Sequence, residues 1–437
     1  MTVADAPDVQ SAEDRSKVRT ALLASLVGTT IEWYDFFLYA TAASLVFNQA
    51  FFPDQSSFVG TMLSFATFAV GFLVRPIGGF VFGHIGDRIG RKRTLALTMF
   101  LMGGATALMG VLPTAAQIGV LAPILLLLLR VVQGFALGGE WAGAVLLAVE
   151  HSTPKKRGFS GSIPQVGLAL GLALGTGVFA LLQVAMSAEA FLSYGWRIAF
   201  LVSVVLVIFG VVVRLKASET PSFEKLQADE QRSSVPIKEI FRPPMLKTTV
   251  LGMLSRWGEG AAFNTWGVFA ISYATATLRF EKVPVLIVVT VSALLMAALL
   301  PVSGMLVDRF GAKVVYGSGI AAYAVAVFPV FALFNTGSLV AYTIGMVVVF
   351  GIIHAWFYGA QGTLYASLFP TRIRYTGLST VYQLSGVYSS GLTPLILTAL
   401  IAAAGGSPWL ACSYLVGTAI ISVIATWMLR PSPLAEL

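Results

Sequence analysis

The sequence predicts an all-α membrane protein with 12 transmembrane helices arranged as two six-helix halves. Three observations carry that prediction: the composition, the side on which the basic residues fall, and an internal repeat. Of the 437 residues, 57% are hydrophobic and only 11% are charged, against about 25% charged in a soluble domain. A chain so poor in charge cannot cover itself with a water-facing surface. Apolar runs long enough to cross a bilayer, ~20 residues, fill most of it.

The first helix, 20–47, follows a polar tail (1–19) of mixed charge. That tail lacks the short apolar core and cleavage site of a secretory signal, so the first helix is expected to remain as an anchor. Helices then follow at 56–82, 94–112, 117–149, 160–186 and 196–214, closing an N-terminal bundle (20–214). A linker, 215–246, carries Pro221, Pro236, Pro243 and Pro244 with abundant charge. The second bundle (247–430) takes helices at 247–276, 283–307, 313–334, 338–366, 376–403 and 408–429, before a tail at 431–437. Several runs exceed the bilayer thickness, which predicts tilt. The many glycines and prolines suit membrane helices, where small residues let backbones approach.

The basic residues test the count. Of 28 Lys and Arg, 22 fall on the termini, the central linker and alternate loops, while the opposite face keeps only Arg197, Arg279 and Lys282. By the positive-inside rule both termini are cytoplasmic, in a cell inner (plasma) membrane. An odd number of helices would scramble the pattern. The net charge of +8 is explained by topology and anionic lipid headgroups, so no nucleic acid partner is expected. Cys412 is the lone cysteine and the three histidines lie on separate segments, which leaves no disulfide and no metal centre. The chain has no HExxH helix, no GxSxG elbow and no P-loop. An enzyme and an ATP-driven pump are thereby disfavoured, and no cofactor is expected beyond a coupling proton.

Gly83-His84-Ile85-Gly86-Asp87-Arg88-Ile89-Gly90 recurs as Gly304-Met305-Leu306-Val307-Asp308-Arg309-Phe310-Gly311. Both copies join the second and third helix of a half. Two such halves with a site between them form a transporter plan, in which one half rocks against the other. One chain holds both halves, so a monomer suffices.

These residues resemble the major facilitator superfamily, and with them the chain is expected to take its fold. The first copy, extended by Arg91-Lys92-Arg93, is similar to the signature loop between helices 2 and 3. Arg130-Val131-Val132-Gln133-Gly134 is similar to the helix 4 motif. Glu32-Trp33-Tyr34-Asp35-Phe36, Arg75-Pro76-Ile77-Gly78-Gly79, Gly138-Gly139-Glu140-Trp141 and Leu368-Phe369-Pro370-Thr371-Arg372-Ile373-Arg374-Tyr375-Thr376-Gly377 resemble the metabolite:proton symporter family within it. The resemblance implies proton-coupled uptake of a small organic solute. Two departures stand out. Ser367 replaces the glutamate usual before Leu-Phe-Pro-Thr, and helix 5 reads Pro164-Gln165-Val166-Gly167 where the superfamily's antiporters carry a Gly-Pro pair.

Seven ionisable residues fall inside predicted helices: Glu32, Asp35, Arg75, Arg130, Glu140, Arg256 and Glu259. Each costs ~2.5–3.5 kcal/mol to insert, so each is a functional candidate. Four acids against three bases leave one acid over, and a surplus acid in such a place can hold a proton. Glu32 and Asp35 share a helix face; if helix 1 packs on helix 4, as the resemblance implies, Arg130 is their partner. Asp35 is the expected proton carrier and Glu32 the alternative, with Arg130 and Glu140 completing the group. A static Asp35–Arg130 pair is the competing reading. By the resemblance Arg75 is expected to take a substrate anion, whose carboxylate a guanidinium matches bidentately; packing against Glu32 or a carbonyl is the competing reading. Arg256 either holds a second carboxylate or pairs with Glu259. Tyr39, Gln165, Gln361, Tyr382 and Gln383 are further candidates for the cavity, with interhelical bonding as the alternative for the glutamines and Tyr382. By resemblance, Gly83, Asp87, Arg88, Gly90, Arg91, Glu150, Asp308 and Arg309 form a cytoplasmic gate in which Asp87 and Arg91 latch to Glu150. The substrate class stays open between mono- or dicarboxylates and zwitterionic solutes.

Overall fold

The computed structural model describes residues 12–89, 91–150, 152–216, 239–243 and 245–430. Among them every regular element is helical. Twelve helices run back and forth: α1 Ala12–Leu45, α2 Ser57–Ile89, α3 Arg91–Val111, α4 Leu121–Glu150, α5 Arg157–Ala185 and α6 188–216. The second set is α7 245–277, α8 Lys282–Phe310, α9 Ala312–Phe334, α10 Leu339–Ala366, α11 371–403 and α12 Trp409–Met428. Nine of the described helices are long and apolar enough to cross a membrane by that test alone. The other three are α1 and α7, which carry the buried pairs Glu32/Asp35 and Arg256/Glu259, and α3, whose apolar part is Ala96–Val111.

Several ends differ from the sequence reading. The segment through Asp87, expected as the loop after a helix ending at 82, continues α2 as helix to Ile89. The fourth helix starts at Leu121, not 117, because Gly119 takes φ +61° and separates a short helix, Ala115–Ile118, from it. Most of the expected linker, and the tail 431–437, lie outside the described residues.

Helices α7, α10 and α11 are not regular. The α-helix of α7 stops at Ser255 and resumes at Trp257, and π-turns occupy Thr265–Phe269 and Tyr273–Thr277 of α7, Val347–Ile353 of α10 and Val387–Gly391 of α11. Such irregular turns re-aim side chains and collect at functional sites.

Glycines set how closely the helices approach. A Cβ on Gly78 would lie 1.8 Å from the Phe135 carbonyl oxygen, and one on Gly138 2.2 Å from that of Arg75. The α2 and α4 backbones are therefore in direct contact, the small-residue packing that membranes favour. Between the halves, α5 crosses α8 where Gly158 meets Gly304, each leaving under 3 Å for a Cβ on the other.

Candidate functional site

Arg75 sits in the middle of α2 and is 2% exposed. Its Cζ lies 4.2 Å from the ring centres of both Phe36 and Phe72, and 5.3 Å from that of Trp33. Its Nε and Nη2 have no hydrogen-bond partner, and among the described residues no carboxylate pairs with it. Stacking on rings recovers up to ~2 kcal/mol for a desolvated cation. Burying an unpaired charge costs several kcal/mol more than that. The site therefore has an unmet demand for an anion.

Across the interface the second half presents Arg256, at the break in α7. Its Nε pairs with the Glu259 carboxylate at 3.3 Å. Its Nη1 donates to the Tyr382 carbonyl and the Ser385 hydroxyl, both at 3.1 Å, and its Cζ lies 3.8 Å from the Tyr382 ring centre. Of the two readings left open for Arg256, the structure shows the pair. Tyr382 in turn stacks on Trp141 of the first half, ring centres 3.7 Å apart, and Trp141 Nε1 donates to Gln165 Oε1 at 3.1 Å. Gln383 Nε2 donates to the Gly138 carbonyl at 2.6 Å, tying α11 to α4. Gln165 Nε2, the Tyr358 hydroxyl and both amide atoms of Gln361 are buried with no hydrogen-bond partner. Arg75, Arg256, Glu259, Gln165, Gln361 and Tyr382 are thus brought to one interface. It holds one unanswered positive charge and several idle neutral groups.

Asp35 belongs to a separate group inside the first half. It is fully buried; Ser203 of α6 donates to its Oδ1, while Oδ2 has no partner. The expected contact with Arg130 is corrected: among the described residues no ion pair joins them. Arg130 Nη1 donates to Gln133 Oε1, and Gln133 Nε2 donates to Thr106 at 2.8 Å and to the Asp35 main-chain carbonyl at 3.4 Å. Gln133 is thus the spacer. The guanidinium is held by rings, with its Cζ 4.3, 4.2 and 5.1 Å from the centres of Phe36, Tyr39 and Phe68. Tyr39 belongs to this group, against Arg130: it is fully buried, and its hydroxyl donates to Thr67 at 2.7 Å. Glu140 also stands apart. Thr98 of α3 donates to it, and it lies seven residues beyond Gln133, about 10 Å along α4. Glu32 is buried on the Asp35 helix.

The sequence reading named neither Ser203 nor Thr106, and it quoted Gln133 without a role. Gln133 carried a signal, a polar residue at i+3 from Arg130 on one face. Serine and threonine in apolar helices carry none, because they bond their own turn as readily as a neighbour.

At the end of the bundle bearing the basic loops, Asp308 of α8 accepts from the Gly158 amide at 2.6 Å and the Phe159 amide at 3.0 Å. A carboxylate on the first amides of a helix is well placed, since those amides lack partners and carry the positive end of the dipole. Glu150 is 3.8 Å from Arg374 of the other half. The side chains expected to latch to Glu150, those of Asp87 and Arg91, lie outside the described residues, as do that of Arg88 and the whole of Gly90; Gly83 is within α2. Arg309 lies 5.1 Å from the Phe310 ring centre. Replacing the exposed Asp308 with Asn keeps an acceptor but removes the charge, and should weaken the α8–α5 clamp by about 0.3–1 kcal/mol, the range for an exposed charge at a helix terminus. Cysteines placed between α5 and α8 at this end are then expected to react faster with a membrane-impermeant thiol reagent than in the parent. Further along the bundle the halves also touch, through Thr176 and Thr290 at 2.8 Å and Phe37 and Phe263 at 5.2 Å.

Charge buried between the halves of such a helical bundle fits a membrane transporter, and the family and curated relatives that the chain matches are transporters. The chain belongs to the sugar (and other) transporter family of the major facilitator superfamily, whose model matches residues 20–240. It is 38% identical over 421 residues to the shikimate transporter of Escherichia coli, covering 95% of each chain. It is 37% identical to the inner membrane metabolite transport protein YhjE of the same organism, covering 94% of each. Its identity to the glycine betaine/proline/ectoine/pipecolic acid transporter OusA of Dickeya dadantii is 34%, over 89% of this chain and 78% of that one. The partially occluded inward-open structure of the Escherichia coli xylose transporter XylE shares the fold, with a TM-score of 0.75 at 16% identity over 97% and 100% of the two chains.

Proposed function

We propose that the protein is a proton symporter that takes up a small organic acid by alternating access. Its two bundles, 20–214 and 247–430, rock about the interface that holds Arg75. The carrying observation is Arg75 itself, a buried guanidinium with idle donors and no carboxylate of the described residues against it. A carboxylate meets that demand with paired, charge-assisted hydrogen bonds. Arg256 is already neutralised by Glu259, so the charge balance favours one carboxylate over two. The buried amides of Gln165 and Gln361 and the Tyr358 hydroxyl suit hydroxyls or carbonyls elsewhere on the solute. Asp35 is the proton carrier in this reading, since its Oδ2 is buried and free to take a proton, and Glu32 is the alternative. The basic loops face the cytoplasm, both termini included, and the protein sits in the inner membrane. The proton is the only accessory species and a monomer is the working unit.

The second reading is a zwitterionic solute, which the similarity to betaine and proline transporters favours. In it Glu259 leaves Arg256 to meet the solute's ammonium group. One experiment separates the two. Protein in liposomes loaded with a pH-sensitive dye is given shikimate and other carboxylates, then glycine betaine and proline, from outside. Internal acidification with carboxylates alone supports the proposal, and acidification with the zwitterions alone supports the second reading. Movement of labelled solute without acidification would rule out proton coupling in either.

A further inference from the structure

We propose that Phe36 is the residue through which proton binding at Asp35 and anion binding at Arg75 act on each other, a positioning role that rests on the symport reading. One site lies inside the first half and the other at its interface with the second, and among the described residues no hydrogen bond joins Asp35 to Arg75. The two sites do share this ring. The Arg75 and Arg130 Cζ atoms lie 4.2 and 4.3 Å from the Phe36 ring centre. Phe36, Phe68 and Phe72 form a triangle with centres 5.3, 5.1 and 5.3 Å apart. Arg130 also takes Phe68, and Arg75 also takes Phe72. Phe36 alone in the triangle serves both cations among the described residues.

Neither guanidinium has a carboxylate partner among the described residues. Two like charges on one apolar cluster raise each other's energy, with little water to screen them. An anion on Arg75 relieves that repulsion, and so does an ionised Asp35 brought toward Arg130. The two reliefs compete. Protonating Asp35 leaves Arg130 unanswered and strengthens the call for an anion at Arg75, so proton and anion bind together. The ring makes the competition local. Phe36 follows Asp35 directly in α1, so a turn of α1 that re-pairs Asp35 moves the ring shared by both cations. In a close-packed interior such a move has discrete positions and is not absorbed gradually.

The surroundings leave few other groups to answer the proton. Toward Asp35, α4 presents Arg130 through Gln133, α3 presents the neutral Thr106 and α6 the neutral Ser203. From its own helix come Glu32, Tyr34 and Tyr39, and from α2 comes Arg75 by way of Phe36.

The test compares Phe36→Leu, which keeps apolar bulk without the ring, with Phe36→Tyr, which keeps the ring. The probe is the first carboxylate that drives acidification in wild-type liposomes, shikimate being tried first. Its binding to purified protein is measured one pH unit below and one unit above neutrality. Wild type and Phe36→Tyr are expected to bind more tightly at the lower pH, by up to about tenfold per unit for one linked proton. Phe36→Leu is expected to bind with the same Kd at both. If Phe36→Leu keeps the wild-type pH dependence, at whatever absolute affinity, the coupling role is overturned. If both ring-bearing proteins bind without pH dependence, or no carboxylate drives acidification, the symport reading fails first and this inference with it.

Discussion

Replacing Arg75 with methionine is expected to weaken substrate binding by roughly thirtyfold or more while making the folded protein more resistant to heat. The two effects have one cause. Arg75 is buried against Phe36, Phe72 and Trp33, with Nε and Nη2 unpartnered. In the empty protein its charge is a cost, and substituting apolar residues of similar volume for buried charges commonly stabilises by about 1–4 kcal/mol. With a carboxylate bound the same charge is the main attraction, and truncating one partner of a buried charge pair costs about 2–5 kcal/mol. That is a loss of affinity of roughly thirtyfold to several thousandfold. Arg75→Lys should fall between, because ammonium keeps the charge but loses the planar fork. Ligand binding and thermal unfolding in detergent, measured on the same preparations, check both halves. A methionine variant that loses binding and also melts earlier would make Arg75 a structural residue and remove the main support for an anionic substrate.

The sequence spoke most clearly about what the bilayer itself enforces. Helix number, the repeat and the family came from apolar runs, from basic residues on alternate loops and from the paired segments at Gly83 and Gly304, because lipid penalises any other arrangement. The seven buried charges were visible for the same reason. Of their partners only Glu259, three residues beyond Arg256, was visible as well. Asp35 and Arg130 lie on facing helices, as expected, yet Gln133 separates them and three rings hold the guanidinium. Pairing depends on rotamers and on angstroms of helix rotation, which hydrophobic patterning does not encode. Phe36 was hidden differently. In a stretch reading Trp33-Tyr34-Asp35-Phe36-Phe37, one more aromatic residue looks like packing, and only the two guanidiniums on it mark it out. The break at Arg256 escaped notice too, since Trp257 and Gly258 continue an apolar segment without a proline to announce it.

Asp35→Asn should uncouple the transporter without emptying it. Asparagine keeps the size of the side chain and can still accept from Ser203, which now bonds Oδ1. It resembles the protonated acid and cannot release the proton. In the competition described above, that fixes the protein in the state that favours an anion at Arg75, so binding should stay at the tight, low-pH value across the pH range. Transport divides accordingly. A monoanion moving with one proton carries no net charge. Wild type should therefore concentrate it about tenfold for each unit of pH difference, since one unit is worth ~1.36 kcal/mol per proton, and should ignore the membrane potential. The variant should still exchange labelled for unlabelled solute across the membrane, but its accumulation ratio should fall to about one. The same substitution at Glu32 separates the two acids: if it removes accumulation and Asp35→Asn does not, the proton sits one turn nearer the N-terminus of α1. If neither substitution lowers accumulation, the buried acids of α1 hold helices together, and the coupling proton must be sought at Glu140 or Glu259, the other buried acids of the described chain.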